Sequence, residues 1–329
     1  MPRTLLLTAR EVPALIDLPT ALRLVRAAFR LHGQGRTQMP AKVYVTLPEH
    51  GGDLRAMPAY IASLRACGLK WVNVHPRNRR RGLPTVMATM LLTDPSTGVP
   101  LAILDGTYIT KLRTGAAGGV AADVLARRDA RTAALIGCGA QAQQQLDALL
   151  AVRRIRQVRV WSPVAGEAAA LIRRQRRPRV TFAVAPTVRA CVAGADVVIT
   201  ITPSRRALVR RAWIAPGTHI NAIGADAPGK EELDPALLRA ARVVVDDRPQ
   251  AIHSGEVNVP IRRGRYRAAQ IHATLGEILA GRRPGRRRAR DMTIFDSTGL
   301  AIHDVVLAQA VYRRALRLHR GRWVRLVSP

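Results

Sequence analysis

The word Gly137-Cys138-Gly139-Ala140-Gln141-Ala142 constrains this chain more than any other stretch. It follows an apolar run, Thr132 to Ile136, and opens into a segment that reads as a helix. A strand, a glycine turn and a helix in that order is how an open parallel sheet presents backbone N–H groups to a pyrophosphate. The first glycine permits the tight turn and the second admits a phosphate close to the backbone. Ala142 stands where helix and strand must pack. Further strand words follow at 158–161, 180–184, 195–202, 219–223 and 242–246, several separated by helical stretches. This alternation predicts an α/β fold built on a doubly wound parallel sheet of the Rossmann type. One expected element is missing. An acidic residue about 20 positions beyond the glycines should hold the adenosine ribose, yet that strand ends Trp161-Ser162-Pro163. Ser162 can hydrogen-bond either a ribose hydroxyl or a 2′-phosphate, so NAD(H) and NADP(H) both stay open.

The first third reads differently. Asp17-Leu18-Pro19-Thr20 precedes an amphipathic helix with Leu22, Leu24, Val25, Ala28 and Phe29 near one face. Strand words follow at 42–46, 54–57, 69–74 and 85–92. The turn Asp94-Pro95-Ser96-Thr97-Gly98 returns the chain into 100–105 as a hairpin. A helix starts near Asp105-Gly106-Thr107 and leads into the small-residue stretch Arg113 to Ala122. Leu300 to Leu318 reads as one long helix that packs back on the strand-rich first domain. The expected division is a smaller α+β substrate-binding and dimerisation domain from 1–114 and 303–329, with the Rossmann dinucleotide-binding domain at 115–302.

Basic residues sharpen the search for chemistry. Lysine and arginine together number 53, and only Lys42, Lys70, Lys111 and Lys230 are lysines. Arginine stays charged at any working pH, whereas lysine is a compact ammonium that loses its proton when desolvated. Lysines retained in so arginine-biased a chain point to tasks a guanidinium cannot perform, and Lys42, Lys70 and Lys230 sit in dense, unusual words. Lys111 reads as a surface cation.

The net charge of +31 implies attraction to polyanions. The arginines are nevertheless spread along the whole chain, with clusters at 77–81, 172–177 and 282–288. They lack the interleaved aromatics of a single-strand binder, so nucleic-acid association is expected only as a non-specific, salt-sensitive effect. Cys67, Cys138 and Cys191 are far apart and no His/Cys cluster has metal-ligand spacing, so neither a disulfide scaffold nor a metal site is expected. The Leu5-Leu6-Leu7 run is too short for a signal-peptide core and no apolar stretch is long enough to span a bilayer. A cytoplasmic protein without membrane attachment is expected.

Words along almost the whole chain resemble the ornithine cyclodeaminase/μ-crystallin family, and within it the archaeal-type alanine dehydrogenases. They are 38–44, 52–58, 68–73, 82–88, 112–117, 137–142, 223–230 and 295–301. The resemblance implies a Rossmann domain with a smaller α/β domain that binds substrate and forms a homodimer. It implies that Lys42, Arg55 and Lys70 face an amino acid or 2-oxo acid and that Asp226 is the catalytic carboxylate. Beside Gly137 and Gly139 of the glycine word, it further implies nucleotide contacts from Thr85, Arg113, Thr114, Ala140, Gln141, Thr202, Lys230, Ser297 and the strand end Ile220-Asn221-Ala222-Ile223, whereas Trp161-Ser162 departs from the Asp-bearing strand end of the family's NAD-using members.

On these residues the expected reaction is NAD(P)-dependent oxidation of L-alanine to pyruvate and ammonia, or its reverse. The arginine fork suits a substrate carboxylate, so Arg55 is assigned it. Lys70 or Lys42 suits polarisation of the imine or carbonyl, and their mutual repulsion is expected to depress one ammonium toward neutrality. Asp226, beyond a sheet strand, can accept a proton from the substrate ammonium or from water. Ornithine cyclisation to proline, cyclic ketimine reduction and non-catalytic ligand binding are the alternatives within the family.

Overall fold

The computed structural model describes residues 2–175 and 177–327, so Arg176 of the second arginine cluster lies outside the described residues. The chain divides into two compact units, Met1–Arg113 with Leu300–Pro329, and Thr114–Gly299.

The first unit is a mixed sheet covered by helices. Its strands are β1 (Thr4–Leu7), β2 (Val43–Leu47), β3 (Gly52–Ile61), β4 (Ala66–Val74), β5 (Val86–Thr93) and β6 (Pro100–Asp105). Strands β2 to β6 run as an antiparallel meander. Strand β1 then joins β6 in parallel, and the strand Arg322–Val324 closes the edge antiparallel to β1. Alternation decides which face is buried. Arg55, Met57, Ala59 and Ile61 of β3 point inward, as do Ala66, Lys70 and Val72 of β4.

The helix Ala301–Arg317 covers this face, and the helix Leu18–Gly33 packs against that helix. Asp17 caps Leu18–Gly33 by accepting from the Thr20 amide at 2.9 Å. Its buried stripe is Ala21, Val25, Ala28 and Phe29. Leu22 and Leu24, expected on that face, lie half-buried at its margins. The opposite face of the sheet leaves apolar side chains in water, including Val43 (60% exposed), Val45 (47%) and Trp71 (41%).

The second unit is an open, wholly parallel sheet. Its strands are β7 (Thr132–Ile136), β8 (Gln157–Trp161), β9 (Thr181–Val184), β10 (Val197–Thr200), β11 (Arg205–Val209), β12 (His219–Ala222), β13 (Glu231–Leu233), β14 (Arg242–Val245), β15 (Ala273–Thr274) and β16 (Thr293–Asp296). The main sheet has the order β15-β14-β16-β12-β10-β7-β8-β9, and β11 and β13 pair separately. The central strands β10, β12 and β16 are buried at every residue, as a parallel sheet covered on both faces requires.

Two features depart from the sequence reading. Strand β16 sits at the middle of the sheet, between β12 and β14, although only four residues long and preceded by an arginine-rich stretch. Arg286, from that stretch, is no solvated surface charge. It is half-buried and donates to the carbonyl of Leu125 at 2.6 Å and to Thr293 Oγ1 at 3.1 Å.

The small-residue stretch 113–122 has a packing reason. A Cβ on Gly115 would lie 2.5 Å from the carbonyl oxygen of Gln144, and one on Gly118 would lie 2.2 Å from Gln145 Oε1. The glycines thus let the helix Thr107–Leu125 approach the helix that follows the glycine turn, Ala142–Val152. No helix among the described residues is long and apolar enough to cross a membrane.

Candidate active site

In the first unit the sheet register gathers the cations. Arg55 is paired with Tyr44 on β2 and Val72 on β4, and Met57 is paired with Lys70. Lys42 precedes β2 and continues the alternation of Tyr44, so it extends the Met57–Lys70 row. Lys42, Arg55 and Lys70 therefore share one side of three neighbouring strands, each about 4.8 Å from the next. Arg55 makes a forked contact with Asp53, Nε to Oδ1 at 2.6 Å and Nη2 to Oδ2 at 3.2 Å. Its guanidinium also lies 5.1 Å from the centroid of the Tyr44 ring.

A carboxylate that the sequence reading did not single out organises the rest. Asp304, on the first turn of the helix Ala301–Arg317, is fully buried. Its Oδ1 accepts from Arg113 Nε at 3.1 Å, and its Oδ2 lies 2.8 Å from Lys70 Nζ. The lysine contact is a fully buried ion pair. Two buried cations thus share one carboxylate.

Burial pulls the Lys70 ammonium from 10.5 to about 7, followed in weight by repulsion from Arg113, while Asp304 opposes the fall. Repulsion from Lys42, expected to be the lever, is the weakest of these influences. The neighbouring His303 is also buried, packs its ring edge-to-face against Phe29 at 4.3 Å, and has no hydrogen-bond partner on either nitrogen. Burial and the nearby cations hold it well below the usual histidine range, hence neutral. His303-Asp304 within the apolar run 300–308 is the signal that could have revealed both.

In the second unit the glycine word forms the expected turn. Gly137 has φ +104°, and its amide donates to the carbonyl of Trp161 at 2.8 Å. A Cβ there would meet the carbonyl oxygen of Ile201 at 2.6 Å. At Gly139 a Cβ would meet nothing within 4 Å. Ala140 is exposed and Gln141 half-buried at the start of the helix Ala142–Val152. Backbone donors at a helix start, with open space over the second glycine, fit the pyrophosphate of a dinucleotide.

The loops beyond the strands are fixed by buried carboxylates. Glu232 Oε1 accepts from both the amide and the hydroxyl of Thr202 at 2.7 Å, and Oε2 accepts from the Gly224 amide at 2.9 Å. Glu256 in turn accepts from the amides of Glu232 and Leu233, and Asp296 accepts from those of Glu256 and Val257. Burial first and the charge of Glu232 second push Glu256 well above the carboxylate range. The sequence reading passed over Glu232 and Glu256, although the Glu231-Glu232 pair directly follows Lys230.

The other expected residues fall into two groups. Lys230 donates to Asp226 at 2.5 Å, which brings those two together. Ser297 donates its amide to the carbonyl of Ala222, placing the ends of β12 and β16 side by side. Ile220 and Ile223 are buried. Asn221 turns inward, donating to the Gly118 carbonyl at 3.0 Å. Thr114 is buried and its carbonyl accepts from Gln145 Nε2 at 2.8 Å. Thr85 and Arg113 belong to the first unit, where Arg113 is committed to Asp304. Among the described residues no group of His, Cys, Asp or Glu side chains is arranged to hold a metal.

Residues 3–318 match the sequence pattern of the ornithine cyclodeaminase/mu-crystallin family. The chain belongs to this family. Among its relatives, alanine dehydrogenase of Archaeoglobus fulgidus is 48% identical over 318 residues, 97% of each chain. The solved archaeal alanine dehydrogenase dimer with bound NAD superposes with a TM-score of 0.95 at 47% identity, covering 99% of this chain and 100% of that one. Δ1-pyrroline-2-carboxylate reductase of Thermococcus litoralis, solved with NADH and L-proline, gives a TM-score of 0.94 at 34% identity, covering 97% of this chain and 99% of that one. Family membership fits the chain order of both units, including the glycine turn and the late helix that returns to the first unit.

The two glycines of the turn are expected to respond differently to substitution. Gly137→Ala forces a side chain into a backbone conformation that disfavours one and against a carbonyl, and should lower stability by about 1–3 kcal/mol. Gly139→Ala should melt like the parent yet bind dinucleotide more weakly. Thermal melting alongside NADH titration checks both, and a Gly139→Ala protein with unchanged affinity would contradict the placement of the phosphates.

Proposed function

We propose that the protein is a nicotinamide-dependent amino-acid dehydrogenase that interconverts L-alanine with pyruvate and ammonia. The observation that carries this reading is the buried pair of cations, Lys70 and Arg113, on the single carboxylate of Asp304. A buried excess of positive charge is costly unless an anion completes it. An amino acid or 2-oxo acid supplies that anion as its carboxylate. The close similarity to the A. fulgidus alanine dehydrogenase supports alanine as the substrate.

The assigned roles follow from the chemistry of the side chains. Arg55, held by Asp53 and Tyr44, supplies a guanidinium charge for the substrate carboxylate. Lys70, a compact ammonium paired with Asp304, polarises the carbonyl or imine. Lys42 adds positive charge on the same sheet face. Asp226, paired with Lys230, accepts and returns a proton. The turn at Gly137–Gly139 with Ala140 and Gln141 holds the pyrophosphate, and Thr202, Lys230, Ser297 and the end of β12 lie toward the nicotinamide. When bound, NAD(P) supplies the two-electron acceptor or donor for the substrate α-carbon.

A second reading is reduction of a cyclic imino acid, supported by the likeness to the T. litoralis reductase. The exposed apolar face of the first unit's sheet supports a homodimer: Val43, Val45 and Trp71 are the kind of surface a monomer seldom leaves in water. A cytoplasmic location accords with these small, soluble substrates.

Four outcomes are expected. NADH is consumed with pyruvate plus ammonia, but not with Δ1-pyrroline-2-carboxylate, and no proline accumulates from ornithine; the converse pattern would move the assignment to the reductase or cyclodeaminase reading. Reductive amination should fall as pH rises through about 7, where Lys70 loses its proton. Asp304→Asn removes the group that supports the ammonium, so this limb should move to lower pH; a limb unmoved in that variant would remove Lys70 from the mechanism. Val45→Glu should convert a dimer to a monomer on light scattering, and an unchanged mass would exclude that face as the interface.

A further inference from the structure

The missing acidic residue at the end of β8 has a substitute. Beyond Ser162 the chain doubles back. The Val164 amide donates to Ser162 Oγ at 3.2 Å, and Gly166 takes a left-handed conformation at φ +79°. The reversal returns Glu167 to the strand end, where its Oε2 accepts from the Ser162 hydroxyl at 2.7 Å. The glycine turn lies alongside, because the Gly137 amide and the Cys138 thiol both approach the carbonyl of Trp161. Glu167 is close enough for its charge to help push the Cys138 thiol up to about 11, after burial. A carboxylate thus stands beside the glycine turn at the end of the second strand, although five residues later in sequence than the fold's usual position.

We infer that Glu167, oriented by Ser162, receives the adenosine ribose hydroxyls and makes the protein selective for NAD(H) over NADP(H). The inference rests on the dinucleotide reading above and deepens it. A carboxylate accepts hydrogen bonds from the two ribose hydroxyls, whereas a 2′-phosphate in the same place brings further negative charge against it. Ser162 alone would accommodate either group, so the carboxylate it holds decides between them. The +31 net charge attracts NADP(H), which carries the additional phosphate, more strongly than NAD(H), so the local carboxylate acts against that bias.

The test is direct binding of NADH and of NADPH, followed by nicotinamide fluorescence, to the full chain and to Glu167→Gln. The parent should bind NADH at least tenfold more tightly. Glu167→Gln should lose about ten- to a hundredfold of that preference, through weaker NADH binding and tighter NADPH binding. A parent that binds the two equally, or prefers NADPH, overturns the inference and leaves Ser162 as a phosphate acceptor. So does a variant that keeps the parental ratio. If the variant fails to fold, the ratio in the parent decides. Binding of neither nucleotide would defeat the dinucleotide reading itself. Selective NADH binding without turnover of pyruvate and ammonia would defeat only the choice of substrate.

Discussion

Asp304 is the constraint around which the first unit is organised. It is a fully buried carboxylate flanked by a lysine from a central strand and an arginine from the helix that follows β6. Removing Asp304 would leave two cations without a counter-charge in a dry interior. The arrangement also sets reactivity. Lys70 is held near neutrality mainly because water is excluded from it, with Arg113 lowering and Asp304 raising its proton affinity. The helix Ala301–Arg317 therefore does two things at once: it covers the apolar face of the sheet and it delivers the counter-charge. A neutral His303 beside it adds bulk without a competing proton at working pH.

The second unit uses carboxylates in another way. Glu232, Glu256 and Asp296 are spent on backbone amides, each holding the loop that carries the next. This chain of contacts ends at Thr202 and Gly224, beside the strands whose ends face the expected nicotinamide. A glycine turn can bend freely, but the facing loops must be stiff if a ring is to be held in one orientation. Buried acids satisfied by several N–H donors provide that stiffness at the cost of a raised proton affinity in Glu256.

Much of this was legible in the residues. The glycine turn, the strands β7, β8, β9, β10, β12 and β14, the hairpin of β5 and β6 and the last long helix all announce themselves by apolar runs and turn residues. Strand β16 did not, because its short apolar run follows directly on an arginine-rich stretch, and its central place is imposed by neighbours distant in sequence. Asp304 and Glu232 were equally hidden. A single acid in a helix or after a lysine looks like a solvated charge until the packing shows it enclosed. Glu167 was hidden for a different reason: the reversal through Gly166 brings it back to Ser162, and spacing along the chain gives no measure of that return.

The first unit is discontinuous, being completed only by the segment from Leu300 onward, while the second is one uninterrupted stretch. Synthesis from the N-terminus therefore releases the whole nucleotide-binding sheet before the helix bearing Asp304 leaves the ribosome. Until then the inner face of the β3–β5 meander lacks its principal cover and Lys70 its counter-ion. The strand Arg322–Val324, which pairs with β1, emerges after that helix and joins the same sheet. Order of emergence thus delays the charged interior of the first unit until every residue needed to neutralise it has been made.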